Sequence, residues 1–223
     1  MVLAGCAVRP AGSGLGVARA ALAGGDPGVA LRVGGEVLAR RPRDVGALVV
    51  TGEALAALGR VGRAVARLRE AVVVRPRDWG ARMVLGRLLA RRDPGAAAVQ
   101  FRAVVAARAG DWVAWNDLGV VRDLRGRHRA ARVAYRAALA ARPGFRAAGV
   151  NLALSLAVDG RAGAAARIMR AVGPGGSGRV RADWAAVTAM AGHPGLARRM
   201  LAGVMPPDQV AAAVRAYAAL GGT

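Results

Sequence analysis

The sequence predicts an all-α fold in which helix-turn-helix hairpins stack into a right-handed superhelical solenoid. Three observations predict it: a repeat of about 34 residues, small residues at two fixed positions of each repeat, and proline-containing turns between repeats. Pro42 and Pro76 are 34 residues apart. Gly52 and Gly86 are separated by the same interval. Each repeat is then one supersecondary unit, and stacking neighbouring units buries a continuous core.

Small residues form two columns of the repeat, and these columns predict where the two helices of a hairpin cross. Helices approach each other most closely where the side chains between them are small. The first column lies in the first helix and contains Gly52, Gly86, Gly119 and Ala153. The second column lies in the second helix and contains Ala64, Ala97, Ala131 and Ala165. Large side chains four residues further along are expected to fill the gap to the next hairpin; these are Leu68, Phe101, Tyr135 and Met169.

Turn and capping residues predict the hairpin boundaries. Prolines follow arginine-rich helix ends, and Asp44 and Asp78 are placed to cap the next helix. Glycine in turns such as Leu58-Gly59-Arg60 allows the left-handed conformation that ends a helix. Within a solenoid over residues 13–223, the predicted hairpins cover 13–42, 45–76, 79–109, 112–143, 146–173 and 181–205, with a C-terminal capping helix at 208–220. Such a period is typical of tetratricopeptide repeats.

Two segments are expected to depart from the regular repeat. Gly34 occupies a position where a large side chain is expected, which predicts a loosely packed first hairpin. The run Gly173-Pro174-Gly175-Gly176-Ser177-Gly178 is too rich in glycine to be helical and predicts a flexible joint.

The charge is strongly positive, with 34 basic residues against 13 acidic ones and a net charge of +21. Every basic residue is arginine. One interpretation is an anionic partner, such as nucleic acid, an acidic protein face or lipid headgroups. The favoured interpretation is a compositional bias toward GC-rich codons, because the arginines are spread over helix ends and outer faces without an aromatic platform. Nucleic acid is therefore not the expected partner.

Catalysis is not expected from this sequence. His128 and His193 fall in predicted inter-helix turns, and neither stands at metal-ligand spacing from a cysteine or a pair of carboxylates. We interpret both as solvated turn residues. The sequence predicts no metal site and no cofactor.

Binding is expected on the concave surface, which the first helix of each hairpin lines. The predicted groove residues are Met83, Arg87, Asn116, Val120, Asp123, Val150 and Leu154. This mixture suits an amphipathic or extended peptide segment of a partner protein, with Arg87 and Asn116 as polar anchors. The alternative for Val150 and Leu154 is that they complete the packing of the hairpins.

The single cysteine, Cys6, follows Leu3-Ala4-Gly5 and fits a bacterial lipobox. Residues 1–12 then read as the remnant of a lipoprotein signal and a linker. Only five residues precede Cys6, too few for a signal peptide, so the hypothesis requires a true start upstream. The alternative is a chance cysteine in the tail of a cytosolic protein.

Several segments resemble the TadD family, the tetratricopeptide lipoproteins of the tight-adherence (Flp pilus) assembly system. They are Trp112-Val-Ala-Trp115-Asn116-Asp117-Leu118-Gly119, Gly144-Phe145-Arg146-Ala-Ala-Gly-Val-Asn151-Leu152-Ala-Leu154, the run from Met205 to Tyr217, and the lipobox at Cys6. Ala182-Asp183-Trp184-Ala185 departs from the family pattern in the last hairpin. The resemblance implies a scaffold anchored by lipid to the periplasmic face of the outer membrane, where it aids assembly of a secretin or another pilus component. The alternative is a soluble cytosolic adaptor or regulator that binds peptide segments.

Overall fold

The computed structural model describes residues 14–173 and 178–221, which form thirteen α-helices packed as sequential hairpins. The predicted all-α fold class is thereby confirmed. Cys6 and residues 174–177 of the predicted joint lie outside the described residues. Contacts within the chain divide it into two compact units, Met1–Leu89 and Ala90–Thr223, which we describe separately. The single solenoid over 13–223 stays a prediction.

The first unit contains five helices, each of which contacts the next one along the chain. Helix α3 also contacts α1 and α5, as expected for stacked hairpins. A cluster of Val45, Leu48, Ala71 and Ala81 is buried among α3, α4 and α5. The helices are α1 (Gly14–Ala23), α2 (Pro27–Arg40), α3 (Val45–Ala57), α4 (Val61–Val74) and α5 (Trp79–Leu89).

The second unit contains eight helices in the described residues. The first helices of successive hairpins contact each other, α7 with α9 and α9 with α11. The closing helix α13 buries Val210 and Val214 against Ala185 and Leu201 of the last hairpin, as predicted for a capping helix. The helices are α6 (Pro94–Ala107), α7 (Trp112–Asp123), α8 (His128–Ala141), α9 (Arg146–Val158), α10 (Ala162–Val172), α11 (Gly178–Met190), α12 (Pro194–Leu201) and α13 (Pro207–Gly221).

Helix ends follow the local signals in the sequence. Oδ1 of Asp44 accepts a hydrogen bond from the backbone N–H of Ala47 at 3.0 Å, and Oδ1 of Asp78 accepts one from Ala81 at 2.9 Å. Both predicted caps are confirmed. Further aspartate caps with the same geometry are Asp26, Asp93 and Asp111. Gly59 ends α3 with a φ of 72°, the left-handed conformation expected for that turn.

All eight small residues of the two predicted columns are buried. Tyr135 and Met169 belong to a core cluster that includes residues of the following hairpins. Two of the large side chains also close onto the glycine of their own hairpin. A Cβ atom at Gly52 would lie 2.8 Å from Cγ of Leu68, and one at Gly119 would lie 2.6 Å from Cδ1 of Tyr135. Glycine thus makes room for the large side chain that crosses it.

Gly34 does not leave the first hairpin loose as predicted. It is buried in α2, and a Cβ atom there would lie 2.6 Å from Cγ2 of Thr51 in α3. The missing side chain allows α2 to approach α3 closely, which replaces the expected large side chain with direct helix contact.

Candidate binding surfaces

In the first unit, the predicted groove residues Met83 and Arg87 both lie on α5. They are four residues apart and therefore share one face of the helix. The side chain of Met83 is half-buried and that of Arg87 is exposed. A partner could reach both side chains from the same direction. Their binding role stays a prediction.

In the second unit, the predicted groove residues are buried to different degrees. Val150 is only 5% exposed and belongs to the core cluster with Leu152, Leu156 and Tyr135. Burial favours the alternative interpretation of Val150, that it completes the packing of the hairpins, because a buried side chain cannot contact a partner without repacking. Val120 and Leu154 are half-buried against the same cluster, so part of each surface remains accessible.

Asn116, predicted as a polar anchor, is 8% exposed and is already hydrogen-bonded within the protein. Nδ2 of Asn151 donates to Oδ1 of Asn116 at 2.9 Å, which joins α9 to α7. Nδ2 of Asn116 donates in turn to Oδ1 of Asp117 at 3.3 Å. The amide of Asn116 therefore holds two neighbouring first helices in register, and Asn151 is the more accessible member of the pair.

Asp123 is the centre of a polar cluster that joins α7, α8 and α9. Its Oδ1 accepts hydrogen bonds from Oγ of Ser155 and from Nδ1 of His128, both at 2.9 Å. Its Oδ2 accepts a hydrogen bond from the hydroxyl of Tyr135, also at 2.9 Å. The imidazole is the donor because an ionised carboxylate only accepts. Hydrogen bonds to a charged acceptor are stronger than neutral ones, so this single carboxylate fixes three helices.

Burial and the neighbouring carboxylate also change the acidity of Tyr135. Burial of the phenol raises its pKa well above the ordinary value, and the negative charge of Asp123 and its hydrogen bond raise it further. Asp117 adds a smaller effect in the same direction. The hydroxyl therefore stays protonated and continues to donate to Asp123.

The cluster contains a hydroxyl, a carboxylate and an imidazole, but its geometry is not that of a nucleophilic triad. Ser155 donates to Asp123 and not to His128, so the imidazole is not placed to take the serine proton as a triad histidine does. Asp123 and His128 thus have an internal role that the sequence analysis missed. Asp123 was expected to face a partner, and His128 was interpreted as a solvated turn residue. A sequence signal did exist: after Arg146 at its start, α9 is apolar except for Asn151 and Ser155, which are four residues apart and share one face.

Arg132 is a further exception to the expectation that arginines lie on outer faces. Its side chain is 4% exposed, Nη2 lies 2.9 Å from Oδ2 of Asp159, and Nη1 donates to the carbonyl oxygen of Ser155 at 3.3 Å. These contacts join α8 to the last turn of α9 and to Asp159, the residue that follows this helix. One arginine of the strongly basic chain is thus a buried connector between hairpins.

An open cleft of about 470 Å³ lies between α11 and α12 in the second unit. We call it the α11–α12 cleft, and its lining residues are Arg181, Trp184, Leu196, Arg199, Met200 and Ala202. Next to it, burial raises the pKa of the Asp183 carboxyl, an effect that Arg179 partly offsets. The cleft therefore combines an apolar interior with cationic side chains at its edge.

Over residues 14–173 and 178–221, no helix has both the length and the apolar character needed to span a bilayer. Within the same ranges, no three or more His, Cys, Asp or Glu side chains converge as metal ligands would.

Comparisons with solved structures find proteins with the same arrangement of sequential helical hairpins. PilW, a widely conserved type IV pilus biogenesis factor, superposes with a TM-score of 0.77 over 86% of this chain and 90% of its own, at 19% sequence identity. The chain has the tetratricopeptide-repeat fold. MamA from Desulfovibrio magneticus RS-1 superposes with a TM-score of 0.66 at 26% identity, over 70% of this chain and 89% of its own. Another MamA crystal structure gives a TM-score of 0.65 at 25% identity, over 70% of this chain and 92% of its own.

Sequence comparison adds no family assignment to this fold. No protein-family profile matches the chain, and no curated protein matches it.

Proposed function

We propose that this protein is a non-enzymatic scaffold of the TadD type, which binds a segment of a partner protein during assembly of a tight-adherence (Flp) pilus or its secretin. The observation that carries the proposal is the stack of helical hairpins that superposes on the pilus biogenesis factor PilW over most of both chains. The resemblance of the Trp112–Gly119 and Met205–Tyr217 segments to the TadD family supports the same role. We further propose that Cys6 carries a lipid anchor that holds the protein on the periplasmic face of the outer membrane.

The half-buried and exposed residues of the first helices are the proposed contact surface. Met83 and Arg87 form one part in the first unit, and Val120, Asn151 and Leu154 form another in the second unit. An apolar surface with few polar groups suits an amphipathic helix or an extended segment.

The pilus role is tested in cells. A strain lacking the gene is expected to lose surface pili and assembled secretin, and the wild-type gene is expected to restore both. Arg87→Glu should reduce this restoration, because it reverses the charge of an exposed first-helix side chain. Arg63→Glu is the matched control, since Arg63 is exposed on the second helix α4 and the change in charge is identical. Thermal melting of both purified variants shows whether either substitution affects folding. Normal pili in the deletion strain would refute the role.

The anchor is tested by mass and by fractionation of protein expressed from the native locus. We expect a mature chain that begins at Cys6, carries acyl mass and stays in the membrane fraction after a high-salt wash. The wash is needed because a +21 protein also adheres to anionic lipid electrostatically, and salt screens that attraction. Cys6→Ser should release the protein. An unmodified chain in the soluble fraction would favour the alternative, a cytosolic adaptor that binds peptide segments.

A further inference from the structure

We propose that the α11–α12 cleft binds an acidic peptide segment in which a bulky apolar side chain stands beside one or two carboxylates. The inference rests on the proposed function in that the protein binds peptides, but it assigns a separate surface and a partner chemistry. This cleft lies where the sequence departs from the TadD pattern, at Ala182-Asp183-Trp184-Ala185.

The interior of the cleft is apolar and supported from two sides. The ring of Trp184 packs against the core cluster of the central hairpins, and Met200 packs against the cluster beneath α13. Oγ1 of Thr188 donates to the sulfur of Met200 at 3.7 Å, which fixes the thioether. Leu196 completes the wall and is 45% exposed. An apolar side chain that enters would be buried against walls already held in place, so little ordering opposes its binding.

Two arginines at the edge of the cleft determine the charge of the expected ligand. Arg181 and Arg199 are exposed, and neither guanidinium forms a hydrogen bond or ion pair with any residue in 14–173 or 178–221. Arginine binds carboxylates with two parallel hydrogen bonds, which adds orientation to attraction. Both side chains are thus available to carboxylates that flank the apolar anchor.

Few acidic side chains of the α11–α12 hairpin offset the positive charge of these two arginines. Helices α11 and α12 contain four arginines, at 179, 181, 198 and 199, and one carboxylate, Asp183. Asp183 is half-buried and interacts with Arg179. The electrostatic attraction of the cleft for an anionic ligand is therefore not cancelled by its own hairpin.

Size and chemistry together select the class of ligand. The cleft is open, and its volume of about 470 Å³ gives room for a bulky side chain and the residues beside it. A neutral apolar segment would leave two guanidinium groups unpaired, and a polyanion without apolar groups would leave Trp184 and Leu196 uncovered. An acidic segment with an apolar anchor would pair its carboxylates with the two arginines and cover the apolar side chains of the interior.

The test is fluorescence anisotropy on the full chain with fluorescein-labelled, amidated short peptides. Each peptide places glutamates on both sides of Leu, Phe, Trp or Met, and each has a partner in which glutamine replaces glutamate. We expect at least one acidic peptide to bind more tightly than about 1 mM, and its glutamine partner to bind about tenfold more weakly or worse. Added salt should weaken the acidic peptide more than the neutral one.

Variants locate the binding in the cleft. The double variant Arg181→Gln with Arg199→Gln should weaken the acidic peptide by about tenfold or more, equivalent to about 1.4 kcal/mol. The control is Arg198→Gln with Arg215→Gln, which removes the same charge from exposed positions that do not line the cleft and should bind like wild type. Leu196→Gln should weaken binding through the apolar wall.

Three results would overturn the inference. They are equal losses in the two double variants, equal affinities for glutamate and glutamine peptides, and no binding by any of the acidic peptides. None of these results depends on acylation of Cys6 or on pilus assembly. If the cleft does not bind these peptides, the Arg87→Glu effect on pili is still expected. If the protein has no role in pilus assembly, peptide binding in the cleft is still expected.

Discussion

The hydroxyl of Tyr135 donates to Oδ2 of Asp123 at 2.9 Å while its ring covers Gly119, so one side chain closes both the polar cluster and the helix crossing of its hairpin. The glycine and the tyrosine lie 16 positions apart on α7 and α8. Their contact explains why a small residue is needed at 119. Two of the predictions below follow from this contact.

Gly119→Ala is expected to destabilise the protein by about 1–3 kcal/mol, the usual effect of overpacking a core. The added methyl would meet the ring of Tyr135, which is rigid and buried and cannot move aside cheaply. Gly163→Ala in α10 is the matched control, because a Cβ atom there meets nothing within 4 Å. That variant should gain roughly 0.5–1 kcal/mol from helix propensity. Urea unfolding measures the free energy of unfolding of both variants. A Gly119→Ala variant as stable as wild type would argue against the close approach of α7 and α8 at this residue.

Tyr135→Phe tests the raised pKa of the buried phenol. The folded protein retains this proton at a pH where the unfolded chain loses it, above about pH 10. The unfolded state then binds fewer protons, so the free energy of unfolding should fall as pH rises above 10, by up to about 1.4 kcal/mol per pH unit. Tyr135→Phe should remove most of this slope, because it removes the phenol whose pKa is raised. Urea unfolding curves between about pH 9 and 11.5 measure it, and equal slopes in wild type and Tyr135→Phe would contradict the assignment.

Asp159→Ala is expected to lower the free energy of unfolding by about 1–3 kcal/mol, because it leaves the nearly buried guanidinium of Arg132 without its carboxylate. The expected loss is below that for a fully buried pair, since Asp159 is 37% exposed and water can reach the site. Arg132→Met should cost less, because it removes the buried charge itself. Glu36→Ala breaks an exposed ion pair with Arg32 and serves as the control, with a change within about 0.5 kcal/mol. Equal losses for Asp159→Ala and Glu36→Ala would show that Arg132 is solvated.

Asp111→Ala should destabilise α7 by about 1 kcal/mol, the usual value for loss of an N-cap. Its Oδ1 accepts a hydrogen bond from the backbone N–H of Ala114 at 3.0 Å. Asp111→Asn keeps an acceptor at the same position and should stay within a few tenths of a kcal/mol of wild type. A loss of the same size in both variants, measured by thermal or urea unfolding, would assign the effect to charge instead of capping.

The sequence was sufficient to predict the structural features that depend on residues close together in the chain. Asp44 and Asp78 stand just before helices and cap them, and Gly59 sits in a turn and adopts the left-handed conformation. Burial of the small columns also followed from the 34-residue period. In each case the physical cause lies within one repeat, so repetition of the pattern makes it visible.

Features that join different hairpins could not be predicted in this way. Asp123 meets Ser155 from 32 positions away, and the sequence does not show which of many polar side chains turns inward. Helix α8 contains Arg129, Arg132 and Arg136, and only the position of Asp159 in the next hairpin decides that Arg132 is the buried one. The two interpretations of Val150 stayed open for the same reason, since the neighbouring hairpin determines its burial.

Tyr217 of α13 packs against both the cluster of the central hairpins and the cluster of the last hairpin, and α13 also contacts α9. In an array of repeats, each unit normally gains stability only from its immediate neighbours, so unfolding can proceed one repeat at a time from an end. Here the terminal helix touches a hairpin beyond its immediate neighbour. Fraying of the C-terminus therefore removes support from two hairpins at once, and the segment from α9 to α13 is expected to lose its structure as one cooperative block.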